Sequence, residues 1–204
     1  MSLVDLEHQG TPLRVLRASF SGELGYELNV PVERGVELLE RIARFAPEVD
    51  AGPYGIEALQ ILRIEKGYIH IGTDTDGTTL PADIGFGRAI GRKTVNFVGR
   101  RSLERPVAKD PDRLQLVALE PADGRTLLPV GAQIAPDPPP TRSEGHVTSS
   151  VMSAALGRPI ALAMLARGTA RQGESVRLHH LGRTIDARVT KAPFFDPQGQ
   201  RLHG

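Results

Sequence analysis

Apolar and polar residues alternate loosely from Leu13 to Phe20 and again from Tyr26 to Val30, which predicts two strands joined by a return. Between them lies Ser21-Gly22-Glu23-Leu24-Gly25, whose two glycines permit a tight turn. Pro31 suits the first turn of a helix, and Val36, Leu39, Ile42 and Ala43 then share one face. Pro47 closes that helix. A second helix is expected from Gly55 to Lys66, with Leu59 and Leu62 facing inward and Gly67 as its stop. Next comes a loop rich in Gly, Asp and Thr from Gly72 to Thr79, and the stretch from Ala82 to Arg105 mixes short helical and strand signals.

Pro106 to Pro111 forms a polar, proline-bounded connector, after which the pattern is almost wholly that of strands. Strands are expected at Arg113 to Leu119, Gln133 to Ala135, Gly145 to Met152, Ile160 to Ala166, Ser175 to His180 and Thr184 to Thr190. Leu181-Gly182 sits where a hairpin turn belongs, and the four prolines between Pro136 and Pro140 predict an exposed, stiff loop. Six short strands in so short a stretch predict a small barrel or sandwich. The expected organisation is therefore an α+β region over residues 1–105, followed by a β domain over residues 112–204.

Composition narrows the classes of function. Of 204 residues, 40% are apolar and 24% charged, the ordinary globular range. Nine residues are aromatic, so the core must come from Leu, Ile, Val and Ala, and base stacking has little to work with. The net charge of +1 divides into −2 before residue 106 and +3 after it, which gives no broad footprint for nucleic acid. Without cysteine there are no disulfides and no thiolate metal sites. The first seven residues carry acids where a secretory signal would carry bases, and no apolar run approaches the ~18 residues of a membrane span. A cytoplasmic protein with neither nucleic-acid nor membrane partners is expected.

Several motifs fail on spacing. Gly85, Gly87 and Gly91 miss the dinucleotide fingerprint by one residue. Asp74, Asp76 and Gly77 resemble part of a calcium loop but lack its third acid and distal Glu, so a turn or capping role is expected. His179 and His180 are adjacent on a strand, where one should meet solvent and the other pack, so they do not join on one metal. Ser21 lacks the flanking glycine of a nucleophile elbow. No metal site and no catalytic residue emerge from the pattern.

What remains is Glu23, Glu27 and Arg63. Glu27 lies on the return strand beside Tyr26; facing a cavity, its two oxygens can accept parallel N–H bonds from an amidine-like ligand edge, and facing outward it is an ordinary strand carboxylate. Arg63 finds Leu59, Gln60, Lys66 and Gly67 at helical neighbour spacing, none of them a carboxylate. It therefore points to solvent, to a partner distant in sequence, or to an anionic ligand. Glu65 faces elsewhere, with a partner expected in the following loop.

The strings Arg17-Ala18-Ser19-Phe20-Ser21-Gly22-Glu23-Leu24-Gly25-Tyr26-Glu27, Leu62-Arg63-Ile64-Glu65-Lys66-Gly67, Phe97-Val98-Gly99-Arg100 and Gly145-His146-Val147-Thr148-Ser149 occur in this order. They resemble the folate-binding aminomethyltransferase family, which includes the glycine-cleavage T-protein, dimethylglycine oxidase and the carboxyl-terminal region of the sarcosine oxidase alpha subunit. The ending, Gly145 to Ala163 with Ala192-Pro193-Phe194-Phe195-Asp196-Pro197-Gln198-Gly199, looks most like the sarcosine oxidase branch.

The resemblance implies a T-protein-like mixed α/β region followed by a small antiparallel β-barrel. It also implies a tetrahydrofolate site that takes a one-carbon unit from an amine and releases methylenetetrahydrofolate. On that reading Glu27 grips the pteridine N–H edge, Arg63 binds the ligand or organises its pocket, and Phe20 and Tyr26 flank the ring, with Glu23 as a further contact. Phe20 stands where the family often has Tyr, and Ala154 where it often has Pro.

In the family, the aspartate that orients folate lies in an amino-terminal half that precedes the strand near Leu13. The sequence is thus expected to hold only the later half of the folate-binding unit, with transfer chemistry requiring that other half or partner oxidase subunits. Any flavin or NAD would then sit on those other parts. The alternative implied by the resemblance is a non-catalytic folate-binding regulatory or assembly module.

Overall fold

The structure, a computed structural model, describes residues 1–136 and 142–203. The prolines at 138–140 of the expected stiff loop lie outside the described residues. The chain divides into two compact units, residues 1–63 with 198–204, and residues 64–197.

In the first unit, β1 (Ser2–His8), β2 (Thr11–Arg17) and β3 (Glu27–Asn29) form an antiparallel sheet in that order. β1 was not expected. It pairs with β2 along its whole length, from Ser2 opposite Arg17 to His8 opposite Thr11. Gln9 and Gly10, both at positive φ, make the two-residue turn whose twist suits a hairpin. β2 stops at Arg17, three residues short of the expected Phe20, because the chain folds back on itself there: a Cβ on Gly25 would lie 2.7 Å from the Ala18 carbonyl oxygen. The two helices form as expected, α1 (Gly35–Phe45) and α2 (Ile56–Glu65), each followed by its predicted breaker.

The first unit buries little. Among the described residues, no apolar side chain of residues 1–63 belongs to the buried core. Val36, Leu39 and Ile42, the predicted apolar face of α1, are 70%, 67% and 47% exposed, and Leu3, Val4 and Leu6 of the edge strand β1 are exposed as well. Gly35, Leu38 and Arg41 are the half-buried positions of α1 instead.

In the second unit, α3 (Gly87–Gly91) and short 3-10 turns occupy the stretch where the pattern mixed signals, with no strand among them. The β domain then follows the predicted strands closely: β4 (Leu114–Pro121), β5 (Gln133–Ile134), β6 (Gly145–Met152), β7 (Pro159–Ala166), β8 (Ser175–His180) and β9 (Arg183–Thr190). They close as a barrel in the order β4-β7-β6-β5-β8-β9, every pairing antiparallel, so the choice between barrel and sandwich falls to the barrel. Leu181 and Gly182, both at positive φ, turn β8 into β9. Alternate positions fill the interior, including Val117, Leu119, Ile134, Val147, Leu165, Leu178 and Val189. Gly145 is required where it stands, because a Cβ there would collide with the Met164 carbonyl oxygen on β7. His179 and His180 are both half-buried, so neither takes the solvent position expected from alternation. Among the described residues, no helix is long and apolar enough to cross a membrane.

Two buried carboxylates attach irregular segments to the barrel. Glu65, 2% exposed, accepts through Oε1 from the Ser153 hydroxyl at 2.5 Å and the Ala155 N–H at 3.1 Å. Its carbonyl accepts from the Phe194 and Phe195 amides at 2.9 and 3.0 Å. Its partners thus lie far along the chain, not in the following loop. The neighbouring Lys66 donates to the Asp196 carboxylate at 2.8 Å and to its carbonyl at 2.7 Å, with both side chains under 10% exposed. Asp74, 1% exposed, receives the hydroxyls of Thr148 and Ser149. Successive strand residues normally face opposite ways; here a bulge at Val147/Ser149 places Thr148 as the extra residue and lets both hydroxyls reach one carboxylate.

Two outcomes follow from this packing. Light scattering is expected to show concentration-dependent association of the isolated chain, driven by the uncovered apolar residues of the first unit; a monomer at all concentrations would show that face to be stable in water. Asp196→Ala is expected to destabilise the fold by roughly 3–5 kcal/mol in chemical denaturation, because it leaves the Lys66 ammonium buried without its counter-charge.

Candidate functional site

The sequence-selected residues Phe20, Glu23, Tyr26, Glu27 and Arg63 all fall in the first unit. Four of them lie on or beside the irregular loop that joins β2 to β3. That loop is shaped from within: Ser19 Oγ accepts from the Gly22 N–H at 2.9 Å, and Ser21 Oγ from the Glu23 N–H at 3.3 Å. Gly22 is buried at φ +85, a conformation that favours glycine. Serine hydroxyls that cap nearby amides are the usual alternative to ladder pairing, and here they hold the chain in a tight reversal.

The two glutamates of the loop differ in their surroundings. Glu23 is engaged by a residue 178 positions away: Arg201 Nε donates to its two oxygens at 2.5 and 2.7 Å. Glu27 opens β3 opposite Leu16 and is exposed, and its carboxylate makes no hydrogen bond or ion pair among the described residues. Tyr26 is 58% exposed, and Phe20 is half-buried. The inward-facing arrangement of Glu27 is therefore not seen in this chain; the carboxylate stands open on the sheet.

Arg63 is the opposite case. It is 2% exposed in the last turn of α2, and its Nε donates to Gln60 Oε1 at 2.8 Å. Of the three destinations open to it from sequence, solvent is excluded. Gln60, one of its helical neighbours, carries no charge, and its neutral amide oxygen serves as an acceptor.

A polar cavity of about 390 Å³ lies in the other unit and is lined by Asp76, Asp110, Arg113, His146 and Thr148 among others. Its strongest groups are already turned on one another. Arg113 donates to the Asp83 carboxylate at 2.6 Å and to the Thr78 and Val107 carbonyls. Asp76 Oδ1 accepts from both the hydroxyl and the amide of Thr78 and of Thr79. Asp76 of the calcium-loop fragment thus shapes a turn, whereas Asp74 is hydrogen-bonded to the Thr148 and Ser149 hydroxyls. The Thr78 hydroxyl above all, and then the Thr78 amide and Thr79 hydroxyl, hold the Asp76 carboxyl below the usual carboxylate range.

Comparison with known proteins bears on these features. Residues 1–94 match the GCVT N-terminal domain and residues 115–196 the glycine cleavage T-protein C-terminal barrel domain. The chain is 39% identical over 200 residues to the sarcosine oxidase subunit alpha of Corynebacterium sp. strain P-1, covering 96% of this chain and 21% of that one. It is 30% identical over 186 residues to the aminomethyltransferase of Thermotoga neapolitana, covering 91% of this chain and 49% of that one. The crystal structure of the glycine cleavage system aminomethyltransferase T from Bartonella henselae shares the fold, with a TM-score of 0.72 at 23% identity over 90% of this chain and 50% of that one. The chain thus spans about a fifth of the sarcosine oxidase alpha subunit and half of the aminomethyltransferase.

The depressed Asp76 carboxyl yields a pH outcome. A lowered folded-state value means that the turn is supported above the unfolded carboxylate value of ~3.9 and loses that support as pH falls through the folded one. Carbon-detected NMR is expected to place the Asp76 midpoint below ~3.9, and Thr78→Ala to move it back up.

Proposed function

Because the chain belongs to the glycine-cleavage T-protein family, we propose that it contributes part of a tetrahydrofolate site at which a one-carbon unit from an amine is taken up. The observation that carries this reading is the division of labour between the two glutamates. Glu23 is occupied by Arg201, whereas Glu27, four residues on, presents a carboxylate with both oxygens available. An ionised carboxylate only accepts hydrogen bonds, and a pair of parallel N–H donors on a planar heterocycle is the partner that uses both oxygens at once. The donor edge of a pteridine has that form.

Bound tetrahydrofolate would supply the nucleophilic nitrogen that takes up the carbon. The chain's own residues would orient it. Glu27 fixes the heterocycle's edge, and the half-buried Phe20 and exposed Tyr26 offer apolar faces beside it. Arg63, held by Gln60, supports the pocket or meets the ligand's anionic tail. Holding two reactants in register supplies most of the rate in a transfer of this kind. A proton-moving acid or base is a further requirement, and we assign none to this chain. The wall that would close over Glu27, and the amine-processing chemistry, belong in this proposal to the rest of a larger protein or to partner subunits, since the relatives are two to five times longer.

Calorimetric titration of tetrahydrofolate tests the reading, in the chain and in a form extended toward its amino terminus. Glu27→Gln is expected to weaken binding by roughly 10- to 100-fold, the loss of charge-assisted hydrogen bonds, with an unchanged circular dichroism spectrum. Equal affinities in parent and variant would remove Glu27 from the site.

A further inference from the structure

We propose that the carboxy-terminal segment Gln198–His203 is a strap that sets the position of the Ser19–Glu27 loop, with Arg201 acting as a positioning residue through Glu23. The proposal deepens the folate reading and rests on it for its functional consequence, but not for its structural one.

The strap touches the motif from both sides. Arg201 grips Glu23 in the middle of the loop, and the next residue, Leu202, offers its carbonyl to Arg17 Nη2 at 2.9 Å, at the end of β2 where the loop begins. Two adjacent residues thus bridge the loop's root and its crest across 185 and 178 positions of sequence. The segment is itself shaped for this: Gly199, buried at φ +69, starts the 3-10 turn Gln200–Leu202 that brings Arg201 and Leu202 out side by side.

The loop needs such a tie. Residues 18–26 belong to no strand, and their internal hydrogen bonds fix the local reversal without fixing its angle to β2. Glu27 follows directly from this loop into β3, which pairs with β2 over only three residues. The direction in which the Glu27 carboxylate is presented therefore depends on where the loop is held.

An exposed ion pair contributes little to global stability, and Arg201 and Glu23 are 55% and 34% exposed. The effect expected of this pair is geometric, and it separates from a general loss of fold.

The test compares Arg201→Ala, Glu23→Ala and the exchanged pair Glu23→Arg with Arg201→Glu. Hydrogen exchange at the Gly22 and Glu23 amides and tetrahydrofolate affinity are the readouts. Each single variant is expected to speed loop exchange about tenfold, as local opening becomes easier, and to weaken tetrahydrofolate binding several-fold. The denaturation midpoint should stay where it is, and the exchanged pair should recover both readouts. Unchanged loop exchange in Arg201→Ala overturns the strap. So does a loss of affinity in Glu23→Ala with none in Arg201→Ala, which would make Glu23 a direct contact. If the parent binds no tetrahydrofolate while Arg201→Ala still loosens the loop, the strap stands and the folate reading falls.

Discussion

Glu65 ties two irregular segments of the second unit to the end of α2. A single buried side chain and its own carbonyl receive four hydrogen bonds, two from the turn after β6 and two from the segment after β9. A buried carboxylate is costly unless it is hydrogen-bonded, and here Oε1 takes a hydroxyl and a backbone amide while the carbonyl takes two more amides. Lys66 then ties the same downstream segment through Asp196, and Gly67 closes the helix where a Cβ would run into Ala192 at 2.5 Å. Arg63, Ile64, Glu65 and Lys66 are all buried, which a helix exposed on one side cannot manage.

Asp74 repeats the device at the barrel wall. The bulge in β6 turns Thr148 and Ser149 to the same carboxylate, so this part of the family's Gly145–Ser149 string is also a joint between the loop after α2 and the barrel. The polar cavity nearby is lined by groups that satisfy one another, which is why its charge does not by itself mark a ligand site.

The first unit is built on a different principle. Its sheet has three strands, its helices leave apolar side chains in water, and all its candidate ligand residues except Arg63 stand on a loop and a short strand. Such a surface has the composition of an interior without the covering layer. That agrees with relatives in which the matched region is a fifth to a half of the polypeptide.

The sequence by itself determined the barrel strands and both longer helices, because period and turn residues are local properties and six strands with glycine-bounded turns leave few ways to close. It also singled out Glu23, Glu27 and Arg63 as a motif, though not their separate fates. Only the tertiary structure decided that Glu23 goes to Arg201, that Glu65 reaches Ser153 and that a bulge brings two hydroxyls to Asp74, since each depends on residues brought together across 74 to 178 positions. β1 belongs with these: it is fixed by its register against β2, and pairing energy is a property of two segments, not of one.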